Sequence, residues 1–186
     1  MKKYYSEIVL GLLALVIANS NLALAMGDAP AAIIGNRISL FERGHTFAGS
    51  IAEIPAFGVF EESDFGAKVE MRRGGKTLVL TLSKNGQHYS GDIVEAQLRQ
   101  LSTHIELDGV KKTGPNEGQI NLRIDGKAVE VKVSAKSFEG GHFQAPHYEA
   151  VIDGVAVAFD FSGQACFGYS ANIAMMILGP YAHLNK

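Results

Sequence analysis

The sequence predicts an all-β domain, an antiparallel β-sandwich made of hairpins, with a small β-barrel as the alternative and one short C-terminal helix. Two observations carry this. The phrase Ile-Asp-Gly-x-Ala-Val occurs at 124–129 and again at 152–157, each copy between runs of alternating apolar and polar residues. A third turn signal, Asn85-Gly86, stands between Lys76–Ser83 and His88–Val94. Such dipeptides favour tight hairpins because both central positions need positive φ.

Met1 to Ala25 reads as a secretory signal peptide. Lys2 and Lys3 precede an apolar run over Ile8–Ala18, and Ala23-Leu24-Ala25 supplies a small-residue cleavage site. Residues 26–186 are then expected to form a single β-rich domain with no integral membrane span. Gly27–Ile34 suits a tail or a short edge strand. Arg37–Glu42 and Thr46–Ile54 read as short strands punctuated by Gly44 and Pro55. Phe57–Phe65, with Glu61, Glu62 and Asp64, reads as a solvated loop.

The hairpin at Asn85-Gly86 is expected to set Leu78, Leu80 and Leu82 opposite Ile93, Gly91 and Tyr89. Val94–Leu101 is compatible with a helical turn capped by Asp92 and Glu95. Alternation resumes through Leu101, Thr103, Ile105 and Leu107, with His104 and Glu106 on the other face, and Lys111–Gly118 reads as a polar loop.

At Asp125-Gly126 the turn pairs Ile124 with Lys127, Leu122 with Val129 and Ile120 with Val131, while Asn121 faces Glu130 and Gln119 faces Lys132. A slip of one residue would turn the aliphatic set to water. The same rule at Asp153-Gly154 pairs Ile152 with Val155, Ala150 with Val157 and Tyr148 with Phe159. It also sets His147 opposite Asp160. Leu107-Asp108-Gly109 is a weaker echo of the phrase. Ser170 could cap a helix over Ala171–Leu178 ended by Gly179 and Pro180, although a buried strand fits the same all-apolar run.

Charge narrows the partners. Removing residues 1–25 takes two lysines and one glutamate from 17 basic and 19 acidic residues, leaving a formal charge of −3. Nucleic acid is therefore not expected; the expected partner is an unidentified protein or small-molecule ligand, with no cofactor. A single cysteine, Cys166, excludes an intramolecular disulfide.

Four groupings could carry chemistry. Gln164-Ala165-Cys166-Phe167-Gly168 is similar to the caspase nucleophile segment but has Phe167 where that signature takes Arg, Gln or Gly. The strand-rich pattern also lacks the alternating strands and helices of that family. Cys166 downstream of His142 and His147 resembles the ingredients of the L,D-transpeptidases, exported β-rich enzymes with a cysteine nucleophile. Their Ser-His-Gly-Cys segment is absent, so no roles carry over. His142 and His147 could share a metal ion only if 143–146 bends sharply, since the extended spacing is about 17 Å, and no metal is expected. His147, Glu149 and Asp160 form the remaining group: the register brings an imidazole to a carboxylate, as a cross-strand contact, a ligand-binding group or a base. The catalytic candidates are therefore Cys166, His147 and Asp160, and the binding candidates are His142, His147, Glu149 and Asp160.

From the sequence, the expected function is an exported, non-enzymatic binding or structural module of the envelope or extracellular space. The alternative is a cysteine-dependent acyltransferase or hydrolase using Cys166 with a histidine.

Overall fold

A computed structural model describes residues 31–43, 46–61, 66–73, 75–85, 88–96 and 100–184. Residues 1–25, expected to be a signal peptide, lie outside the described residues.

Twelve strands run antiparallel around a closed barrel. In chain order they are β1 (Ala32–Gly35), β2 (Ile38–Arg43), β3 (Thr46–Ile51), β4 (Ile54–Glu61), β5 (Gly66–Arg73), β6 (Lys76–Asn85), β7 (His88–Glu95), β8 (Gln100–Gly114), β9 (Glu117–Ile124), β10 (Lys127–Ser134), β13 (His147–Ile152) and β14 (Val155–Phe161). Between β10 and β13 the chain forms β11 (Ser137–Glu139) and β12 (His142–Gln144), which join β15 (Gln164–Cys166) in a separate three-stranded sheet. β15 leads directly into the helix α1 (Phe167–Leu184).

The barrel, rather than the preferred sandwich, is the architecture. Both need strands with one apolar and one polar face, so alternation alone does not separate them. Closure comes from β1, which pairs with β2 on one side and with β14 on the other through Ile33↔Phe161 and Gly35↔Phe159. The expected tail or edge strand is the seam that removes both edges.

Inside, the wall is apolar: Leu40, Ile51, Val69, Leu80, Ile105 and Val131 are fully buried. Eight strands leave an interior that side chains alone can fill, whereas twelve leave more room. α1 occupies it. Every residue from Ser170 to Ala182 is buried, and the helix packs against β3, β5, β6, β7, β8, β9 and β13. A helix apolar on all sides needs an apolar environment on all sides, and the barrel provides one. Tyr148 donates a hydrogen bond of 3.1 Å to Ser170 Oγ, and its ring stacks on Phe159 at 4.8 Å. At the helix start Phe138, Phe143 and Phe167 cluster with ring centroids 4.9–5.6 Å apart.

The hairpins at Asp125-Gly126 and Asp153-Gly154 have the predicted registers. The four turn residues have φ of 49°, 77°, 48° and 83°. Other expectations need correction. The β6–β7 ladder pairs Asn85 with His88, so Leu82 faces Gly91 and Leu80 faces Ile93, two residues from the predicted register. An even slip keeps the same face inward, so packing tolerates it. Val94 and Glu95 are strand residues paired with Leu101 and Gln100, so Glu95 does not serve in a capping box; residues 97–99 of the expected helical turn lie outside the described residues.

Ile54–Glu61 is a strand containing Pro55, and Lys111–Gly118 is mostly strand, with the turn at Pro115-Asn116. Asp108 is the extra residue where the β8–β9 register shifts, so the Leu107-Asp108-Gly109 echo is a bulge rather than a turn. The helix is longer than predicted. It starts at Phe167, places Ser170 inside rather than at its cap, and continues past Gly179 and Pro180, where burial of Tyr181 and Ala182 holds the last turn. The 62–65 part of the predicted acidic loop and the Gly86-Gln87 step lie outside the described residues.

Candidate functional site

The outer wall is where polar chemistry gathers. On β13 and β14 the outward side chains alternate with core residues, so His147, Glu149 and Val151 share a face with Asp160, Ala158 and Ala156. The predicted opposition of His147 and Asp160 forms, with His147 Nδ1 2.7 Å from Asp160 Oδ1. The other ring nitrogen, Nε2, lies 3.3 Å from Glu149 Oε1. The imidazole is thus held between two carboxylates, one across the ladder and one two residues along its own strand. Partial burial disfavours charge on His147, but the hydrogen bonds to Asp160 and Glu149 outweigh it and raise its pKa above the ordinary histidine value.

A second clamp of the same design occurs on β7 and β8, and sequence reasoning missed it. His104 Nδ1 is 2.5 Å from Asp92 Oδ1 across the ladder, and Nε2 is 3.3 Å from Glu106 Oε1. The hydrogen bond to Asp92 is the main cause of its raised pKa. A signal was present: His104-Ile105-Glu106 repeats the His-x-Glu spacing of His147-Tyr148-Glu149. His104 is further tied to a turn, since its amide donates to Asp125 Oδ1 at 2.8 Å.

Beside the His147 clamp the wall is dented. The β10–β13 ladder runs from Ser134↔His147 to Val131↔Ala150, although β10 begins at Lys127 and β13 extends to Ile152. Along this stretch a hollow of about 470 Å³ opens outward. Ala128, Val151, Ala156 and Ala158 line it together with the charged Glu130, Lys132 and Glu149. Small side chains explain the concavity. Past the end of the ladder a second recess of about 140 Å³ reaches Ala182 of the helix, bordered by Lys127 and Asp153, which form an ion pair of 2.6 Å.

The other candidates lie elsewhere. Cys166 is half-buried on β15, directly opposite His142 in the small sheet. His142 Nδ1 is 2.9 Å from the Gly140 carbonyl oxygen. The ladder therefore sets Cys166 across from His142, while both ring nitrogens of His147 face carboxylates. Among the described residues, no group of three His, Cys, Asp or Glu side chains has the arrangement to hold a metal ion. In each clamp the two carboxylates address different nitrogens, which suits an imidazolium rather than a metal-bound ring.

Comparison with protein-family models, curated proteins and solved structures returns no match. Among the described residues no helix is long and apolar enough to cross a membrane. The wall itself is apolar within and carries Lys68, Glu70, Arg123, Glu130 and Lys132 outside, together with exposed Ile34, Phe41, Phe57 and Val59.

Proposed function

We propose that this chain is an exported, non-enzymatic binding module that works from the outer wall of its barrel, at the hollow across β10, β13 and β14. The observation that carries this reading is the filled lumen. A barrel that carries a ligand inside keeps an internal cavity, whereas α1 occupies the lumen here and is buried from Ser170 to Ala182. The hollow has the size of a small-ligand site, and its lining mixes apolar side chains with a few charged ones. Export is the expectation drawn from the signal peptide.

One observation favours a second reading. Cys166 and His142 are cross-strand partners, the juxtaposition a cysteine nucleophile would use. Thiol labelling of the folded protein near neutral pH separates the two. Slow modification that accelerates on unfolding supports the binding module. Rapid modification of the native protein, lost in His142→Ala, supports the enzyme.

A further inference from the structure

We propose that the hollow takes a short extended peptide, which adds its backbone to the facing edges of β10 and β13 where their ladder stops. The inference rests on the outer-wall reading and names its ligand.

Pairing stops before the strands do. β10 pairs with β9 down to Lys127 and β13 with β14 up to Ile152, yet the ladder between β10 and β13 stops at Val131↔Ala150. In a two-residue hairpin the residues flanking the turn exchange hydrogen bonds, and the direction of the backbone groups then alternates along each strand. Counting from Ile124↔Lys127 and Ile152↔Val155, the N–H and C=O groups of Ala128, Glu130 and Val151 therefore turn toward the gap. Glu130 with Val151 and Ala128 with Asp153 would be the next hydrogen-bonded pairs, and the ladder includes neither. An extended chain supplies donors and acceptors at that spacing, which a compact small molecule does not.

Space and charge agree with a peptide. An extended residue occupies roughly 3.3 by 4.8 by 10 Å, about 160 Å³, so the hollow of about 470 Å³ holds about three. The recess of about 140 Å³ adjoins it, since both are lined by Ala128, Val129 and Val151. Buried Ile124, Ile152 and Ala182 also wall the recess, which gives an inward-pointing aliphatic side chain an apolar seat. Its neighbours along the peptide then point outward, beside Val151. Lys132 stands opposite Glu149, and Lys127 is paired with Asp153 at 2.6 Å, so opposite charges face each other across the cleft and offset. Recognition is left to backbone groups and to one apolar side chain.

The test is amide hydrogen exchange, followed by NMR, of the protein alone and with an excess of acetyl-Thr-Leu-Thr-Val-Thr-amide. Without peptide, the amides of Ala128 and Glu130 should exchange about tenfold or more faster than those of Val129 and Val131, which pair with β9. With peptide they should slow by about tenfold or more, and N-methylation of the three central peptide amides should weaken binding by about tenfold or more. Exchanging the peptide's leucine for glycine should weaken binding by about tenfold. Slow exchange of Ala128 and Glu130 in the protein alone, unaltered exchange with peptide, or equal binding of the N-methylated peptide would overturn the proposal. If apolar fragments still shift the methyls of Val151, Ala156 and Ala158 in that event, the peptide assignment falls and the outer-wall reading stands.

Discussion

His147 Nδ1 lies 2.7 Å from Asp160 Oδ1 across the β13–β14 ladder, and the opposite ring nitrogen lies 3.3 Å from Glu149. The same arrangement holds His104 between Asp92 and Glu106. Both imidazoles gain protonated-state partners on folding, so both pKa values rise above 6.5. Their contribution to stability is fully present below the unfolded-state value and is lost as pH rises through the folded-state values. Denaturant midpoints of the domain should therefore fall on going from mildly acidic to mildly alkaline solution. Asp92→Asn combined with Asp160→Asn should flatten that slope. Midpoints that rise over this window, or an unaltered slope in the double variant, would contradict the assignment.

Gly126 and Gly154 have φ of 77° and 83°, and a Cβ built at either position meets nothing within 4 Å. A substitution there is opposed by backbone conformation rather than by packing. Gly126→Val and Gly154→Val should each destabilise the domain by about 1–2 kcal/mol, measured by chemical denaturation. Unchanged midpoints in both would mean that these turns do not set the two registers.

Ile177 is fully buried on α1 inside the barrel, whereas Val151 is 61% exposed on the wall. Ile177→Ala should cost about 2–5 kcal/mol, the range for a truncated core side chain. Val151→Ala should stay within about 0.5 kcal/mol. Equal effects would show that the helix is not the centre of the core.

Local signals made the 119–132 and 146–161 hairpins legible, because turn chemistry and alternation demand the same pairing. The opposition of His147 and Asp160 followed from that register. Barrel closure had no such signal: Ala32–Gly35 is four weakly patterned residues whose pairing with β14 joins distant parts of the chain. The helix resisted reading because an all-apolar run suits a buried strand equally until its surroundings are known. The His104 clamp was half visible in its His-x-Glu spacing. Its partner Asp92 sits on a ladder with a register shift between Ile93 and Val94, which no turn dipeptide announces.

The outer-wall reading is tested most directly by a fragment survey on methyl-labelled protein, with the alanine, valine, isoleucine and methionine signals followed together. Binding at the hollow should perturb Ala128, Val151, Ala156 and Ala158 while leaving Ala174, Met175 and Ile177 of the helix unmoved. Perturbation concentrated on the helix methyls, with the outer alanines silent, would show that ligands enter the lumen and would contradict the account.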